Sequence, residues 1–190
     1  AKEVAEAEGF EVLHMYVDAL WIKKNGCSRQ EHFTDVISKI NLHTGLTINL
    51  DGIYFWVAFL PSKTDARVPI ANRYFGVFQS GEIKVRGLEA RRRDTPVWIA
   101  AVQNQMIALL GQSRTKSDLS DHIREAFRYY RASLEQLKAN QVPVDQLVIN
   151  GKVSYALEAY KASTASVRAA RQMQAAGMPI KPGMRIRFIY

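Results

Sequence analysis

Asp18 is the residue best placed to do chemistry. It lies in Tyr16-Val17-Asp18-Ala19, between the apolar runs 10–13 and 19–22. Two apolar runs around a tight turn predict a β-hairpin. A carboxylate at such a tip stands exposed on a rigid support. That suits Mg²⁺, which takes one or two carboxylates together with substrate phosphates, and a pair of such ions can stabilise the attacking and leaving oxygens of a phosphoryl transfer. Asp is also an ordinary turn residue, so the turn by itself leaves both readings open. The other candidates carry less. His14, His32, His43 and His122 lack paired-ligand spacing. The lone Cys27 excludes an internal disulfide and any cysteine zinc site, and fits a reducing cytoplasm. No Gly-rich phosphate loop is present. Arg91 to Arg93 could grip phosphates, and Tyr129, Tyr130 and Tyr160 could stack bases. A short charge run is as readily a solvated surface, and aromatics at helical spacing as readily a core.

Charge points the same way as the arginines. The chain of 190 residues carries a net +8, unevenly spread: −2 over residues 1–50, +3 over 51–100, +1 over 101–150 and +6 over 151–190. A basic end of this kind suits a polyanion, most often nucleic acid, or is simply a solvated surface. The longest apolar run, residues 53–60, is far short of the ~20 residues that span a bilayer, so no membrane partner is expected. The opening AKEVAEAEG lacks an apolar core, and no signal peptide is expected.

The elements that must position these groups read as mixed α+β, then mainly helical. Residues 1–9 form the end of a helix capped by Gly9. After the hairpin, Ser28 and Glu31 predict a capping box for a helix bearing Phe33, Val36, Ile37, Ile40 and Leu42, stopped by Gly45. Residues 46–50 and 53–60 read as strands, and 73–78 with 82–86 as a hairpin about Gln79-Ser80-Gly81. Thr95 predicts an N-cap with Pro96 at the first helical position. A second long helix follows Ser117, with Ile123, Phe127, Tyr130, Leu134 and Leu137 as its apolar face. A helix over 163–176 and a strand over 184–190 complete the chain. The expected fold class is α+β, a hairpin and small antiparallel or mixed sheet followed by a mainly helical domain, divided at 1–93 and 94–190.

Five segments, in order, resemble the C-terminal part of a family B DNA polymerase. GFEVLHMYVDALWI is similar to the family's G-F-E-V-L-Y-G-D-T-D-S-L-F-V, its third catalytic motif. ANRYFGVFQSGEIKVRGLEARRRDTP resembles K-K-R-Y-A…G-K-I-x-x-R-G-L-E-x-x-R-R-D-W. VPVDQLVI resembles V-P-L-E-K-L-V-I. YKASTASVRAARQMQAAG resembles Y-K-A-T-G-P-H-V-x-x-A-K-x-L-A-x-R-G. IKPGMRIRFIY resembles I-x-P-G-x-x-I-x-Y-I-V.

The resemblance implies that residues 1–93 are the end of a polymerase palm and 94–190 its thumb. Asp18 aligns with the second, indispensable aspartate of the third motif and would be catalytic and a Mg²⁺ ligand. Tyr16 stands where the family has its first aspartate and Ala19 where it has Ser. Tyr16-Val17-Asp18 is similar to the start of Y-x-D-D at the matching hairpin of reverse transcriptases. Arg73 and Tyr74 match the segment that touches the primer–template duplex, with Ala71 and Asn72 replacing its lysines. Arg86 and Gly87 match R-G, and Arg92 and Arg93 match R-R. Lys161, Arg168 and Arg171 are further phosphate candidates, near Ala165 and Ser166, which replace Pro-His. The implied partners are primer–template duplex DNA, dNTP for the parent chain, and the remaining polymerase domains upstream; a cytoplasmic, nucleoid-associated location is expected. The fragment alone is expected to be inactive. The alternative is an inactivated relative serving as a non-catalytic DNA-binding or scaffold subunit. A regulator that binds RNA and is unrelated to polymerases is disfavoured by the ordered resemblance.

Overall fold

The computed structural model describes residues 1–189 and divides into two compact units, Ala1–Gly87 and Leu88–Tyr190. In the first unit α1 (Lys2–Ala7) ends at Gly9, whose φ of +77° lets Phe10 N–H return to the Ala5 carbonyl at 3.0 Å. The strands β1 (Glu11–Tyr16) and β2 (Ala19–Lys23) form the expected hairpin. Their register slips between Val12 and His14. Leu13 is thus an extra residue in β1, and the side chains on either side of it swap faces. Val12, Leu20 and Ile22 pack on the core made by Ala5, Phe10, Phe33, Val36 and Ile40, whereas His14 and Trp21 face the sheet. The bulge lets a two-stranded ribbon, marginal by itself, pack on both sides.

Residues Gln30–Phe33 form a 3₁₀ turn before α2 (Thr34–Thr44). The expected Ser28–Glu31 capping box does not form. His32 takes that role, its Nδ1 accepting from the backbone N–H of Ser28 at 3.1 Å and Arg29 at 3.4 Å. An imidazole on the inner side of the tight turn reaches those donors, while Glu31 points to solvent and sits 3.9 Å from Arg29. Gly45 ends α2 at φ +69°. The expected strand 46–50 does not form: these residues are irregular and pair with no strand. Ile48 is held instead by the Asn41 side chain, which accepts from its N–H at 2.8 Å. A side-chain amide substitutes for the neighbouring strand.

A three-stranded antiparallel sheet completes the unit, in the order β3 (Tyr54–Pro61), β4 (Pro69–Phe78), β5 (Ile83–Arg86). β4 starts four residues before the expected Arg73, at a proline that needs no ladder donor.

The second unit opens with a 3₁₀ turn, then α3 (Val97–Leu110) and α4 (Lys116–Lys138). Thr95 does not cap α3. Its hydroxyl donates to the Glu89 carbonyl at 2.7 Å, leaving Pro96 at the cap position. α4 carries a capping box at Thr115 and Asp118. Ser113, fully buried between the two helices in sequence, hydrogen-bonds His122 Nδ1 at 3.0 Å. The apolar face expected for α4 is a second correction. Ala126 and Ser133 are its buried residues, while Ile123, Phe127 and Tyr130 are 50%, 51% and 41% exposed. Small residues allow the close approach, and the large ones are turned outward.

A smaller subcore follows. The strand β6 (Ile149–Lys152), not expected from the sequence, pairs antiparallel with β7 (Arg185–Phe188), and α5 (Ala165–Ala175) packs over them through Ala170. The expected strand 184–190 ends at Phe188, and Tyr190 lies outside the described residues. The observed class is α+β with small antiparallel sheets. Among the described residues no helix is long and apolar enough to cross a membrane.

Candidate active-site hairpin and nucleic-acid interface

In the first unit Asp18 is exposed at the tip of the β1–β2 hairpin. Val17 beside it has φ +35°, a left-handed conformation that a β-branched residue rarely adopts. The tip keeps that shape because the hairpin below it is braced. His14 Nε2–H donates to the Ala71 carbonyl of β4 at 3.0 Å, which fixes the tautomer. The Trp21 ring lies 5.0 Å from Tyr74 and 5.5 Å from Phe59, edge-on to both, and His14 lies 4.4 Å from Phe59. Edge-to-face packing of this kind favours one arrangement over others. The carboxylate is therefore presented on a positioned support.

The donors present do not make a metal site by themselves. No group of three or more His, Cys, Asp or Glu side chains that could hold an ion occurs among the described residues. Asp18 supplies one ligand, so any Mg²⁺ there would need carboxylates from elsewhere.

The other expected residues separate into several kinds. Tyr74 is 6% exposed and belongs to the aromatic core. Arg73 is half-buried on β4 and Arg86 exposed on β5, directly across from Tyr74. Gly87 has φ +64°, and a Cβ there would overlap the Asn72 carbonyl oxygen. Its lack of a side chain lets the chain leave β5 against β4, a structural requirement that sequence pattern alone does not separate from ligand approach. Burial pushes the Tyr54 hydroxyl of the same sheet well above its ordinary range, with the neighbouring Tyr74 adding to the effect.

In the second unit Arg92 forms a two-pronged pair with Asp94, Nε to Oδ1 at 2.9 Å and Nη2 to Oδ2 at 2.6 Å. Those bonds hold the Asp94 carboxyl below its usual range and raise the guanidinium further. Arg93 instead lines a groove of about 520 Å³. The groove walls are Lys152 of β6, Arg185 of β7, and Thr164 and Ser166 at the amino end of α5. Thr164 caps that helix, its hydroxyl accepting from Val167 N–H at 3.4 Å. Gly151 forms part of the floor, where a Cβ would come within 3.1 Å of both Phe188 and Ser166. The Asp94 carboxylate, paired with Arg92, also lines it; three cations and a helix amino end against that one anion leave the concavity net positive and suited to phosphate oxygens. Lys161, Arg168 and Arg171 are exposed outside this lining. Arg168 donates to the Ser163 carbonyl at 2.8 Å and Arg171 to that of Leu157 at 3.3 Å, so part of each guanidinium tethers the turns before α5.

Lys152 escaped sequence reasoning because β6 is short and polar, and Arg185 because the strand that pairs with β7 was not foreseen. The signal was there in Arg185-Ile186-Arg187-Phe188, whose alternation sets both arginines on one face of a strand.

Known proteins resemble this chain in sequence and in fold. Residues 25–190 match the family model described as DNA polymerase family B; the hairpin carrying Asp18 lies just before the matched region. DNA polymerase 1 of Saccharolobus solfataricus is 27% identical over 94% of this chain and 19% of its own length. The DNA polymerase of Pyrococcus horikoshii is 30% identical over 97% of this chain and 14% of its own. The structure of the family B DNA polymerase from Pyrobaculum calidifontis aligns with a TM-score of 0.60 and 25% identity, covering 98% of this chain and 22% of that one. The chain thus spans about a fifth of the length of such relatives. With nearly the whole chain matched in sequence and in fold, it belongs to DNA polymerase family B.

Proposed function

We propose that this chain is a palm–thumb portion of a DNA-directed DNA polymerase, with residues 1–93 in the palm and 94–190 in the thumb. It grips primer–template duplex through phosphates and contributes one carboxylate, Asp18, to nucleotidyl transfer by the complete polypeptide. The observation that carries the reading is the braced hairpin: an exposed aspartate at its tip, locked to the sheet by the His14–Ala71 bond and the aromatic cluster. The groove of Arg93, Lys152 and Arg185 supports the duplex part. Phosphate contacts position a duplex without reading its sequence, as a polymerase requires. Mg²⁺ would be shared between Asp18 and carboxylates of the upstream polymerase domains, and dNTP would bind there.

A second reading rests on Tyr16 and Ala19, which leave the hairpin tip with a single carboxylate. It is an inactivated relative that holds DNA without extending it. Primer extension by the complete polypeptide, intact and as Asp18→Asn, separates the two. Extension abolished by the variant supports the catalytic reading. No extension by either, with salt-sensitive duplex binding retained, supports the non-catalytic one. Neither extension nor duplex binding would reject both.

A further inference from the structure

The hydrogen bond that ties the Asp18 hairpin to the neighbouring sheet joins two irregularities, one on each side. In β1 the extra residue Leu13 turns His14 away from the core that Val12 packs on and toward the sheet. In β4 the register runs from the pair Phe59–Tyr74 to the pair Pro61–Pro69, so the four residues 70–73 stand against the single Leu60 of β3, and pairing with β5 begins only at Tyr74. Ala71 lies inside that bulged stretch, and its carbonyl accepts the His14 Nε2–H at 3.0 Å. A bulge takes backbone groups out of the ladder and re-aims side chains. Here one bulge aims the donor and the other supplies the acceptor. Ring contact with Phe59 and Trp21 needs neither, because any aromatic side chain at this position meets it.

Beyond His14 the ribbon is regular. His14, Met15 and Tyr16 pair with Trp21, Leu20 and Ala19 in unbroken register up to the turn Val17-Asp18. A displacement at His14 is therefore carried to the tip, where Val17 and Asp18 stand exposed. Asp18 lies about 10 Å further along the ribbon, so a tilt of about 6° at His14 moves it by about 1 Å, a misplacement that costs about a hundredfold in rate. Of the contacts on the sheet side, the hydrogen bond fixes both distance and direction. We propose that His14 is the positioning residue of this site: its bond to the Ala71 carbonyl, rather than its ring packing, sets where the hairpin holds the Asp18 carboxylate, on the reading in which Asp18 serves nucleotidyl transfer.

The test uses the complete polypeptide and two substitutions that separate the bond from the ring. His14→Phe keeps an aromatic ring and removes the donor. His14→Gln removes the ring and keeps an amide donor near the place of Nε2. The kcat of primer extension should fall about ten- to a hundredfold in His14→Phe, with the KM for dNTP and the duplex affinity within about twofold of the parent. His14→Gln should restore kcat to within about threefold. Hydrogen exchange over residues 11–23, read by mass spectrometry, should quicken about fivefold in His14→Phe and stay near the parent in His14→Gln. Thermal unfolding checks that each variant is folded. Should His14→Gln unfold, His14→Lys takes its place, its stem lying along the rings and its ammonium donating; should His14→Phe unfold, His14→Leu does. Equal losses in the donor-bearing and donor-free variants overturn the proposal and leave His14 a packing residue. Full kcat with unchanged exchange in His14→Phe overturns it as well. Should the parent extend no primer, the catalytic reading of Asp18 fails by itself and exchange alone decides: quickening in His14→Phe with recovery in His14→Gln upholds the brace, and its absence overturns it.

Discussion

Gly87→Ala should destabilise the first unit by more than its backbone angle explains. At φ +64° an L-residue costs about 1–2 kcal/mol. The added Cβ also overlaps the Asn72 carbonyl oxygen and comes within 3.0 Å of Arg73 Cγ. The first of these is backbone within β4, so no side-chain rotation relieves it. Separating β4 from β5 there disturbs the Tyr74–Arg86 pair. Overpacking of this sort adds about 1–3 kcal/mol, for a total of about 2–5 kcal/mol. Gly81→Ala is the matched control: φ is +90°, with nothing within 4 Å of its Cβ. It carries the conformational cost alone, about 1–2 kcal/mol. Urea unfolding of both variants, followed by tryptophan fluorescence, gives the comparison. Midpoints within about 0.5 kcal/mol of each other would refute the assignment of Gly87 to close strand approach. The result also decides how binding data at this corner are interpreted. If Gly87→Ala is strongly destabilised, weakened duplex binding by that variant reports a displaced Arg86 rather than a lost contact at Gly87.

Three further outcomes follow from local geometry. Arg93→Ala should shallow the dependence of duplex affinity on salt by about one unit of log–log slope, whereas Arg92→Ala should change it less, because Asp94 already holds that guanidinium; equal changes in binding titrations at several salt concentrations would contradict this. Asp118 is held at about 2 by the Thr115 hydroxyl and the N–H groups of Arg114 and Thr115; its contribution is complete above the unfolded value near 4 and is lost as pH falls toward 2, so Asp118→Asn should flatten the acid limb of stability between those values, while Thr115→Ala should cost about 1 kcal/mol at neutral pH, both measured by denaturant unfolding. Val17→Gly should stabilise the hairpin by about 0.5–1 kcal/mol by removing a β-branched residue from φ +35°; a lower urea midpoint than the parent would show that the Val17 side chain makes a compensating contact.

The fold was most legible where a local signal needed no distant partner. Gly9, Gly45, Gly81 and Gly177 all sit at positive φ beside the element ends their positions suggest. The hairpin around Val17-Asp18 and the one around Ser80-Gly81 follow from turn chemistry and flanking apolar runs. Failures came where a tertiary partner decides the outcome. Residues 46–50 have strand-like alternation but pair with no strand, and the Asn41 side chain holds Ile48 instead. β6 has little strand character and becomes a strand because β7 pairs with it. In α4 the apolar spacing indicated a helix correctly but the wrong inward face, because the small residues Ala126 and Ser133 are the ones buried.

The candidate site divides along the same line. The position of Asp18 is a local property of one hairpin, so the sequence reading and the geometry meet there. Whether a cation near it in a motif is available to a ligand is not local. Arg92 and Arg93 are adjacent in a charge run, yet one is held by Asp94, and the other lines the groove together with that carboxylate. The resemblance implies a duplex contact for Tyr74, and the alternation of β4 buries it against Trp21. Its contribution to any duplex contact therefore passes through the strand that carries Arg73. That distinction is measurable: Tyr74→Phe keeps the ring packing and should leave duplex affinity within about twofold, whereas Tyr74→Ala opens a cavity costing about 3–5 kcal/mol and should weaken binding only in step with unfolding. Loss of affinity in Tyr74→Phe without loss of stability would place the phenol at the interface and overturn its assignment to the core.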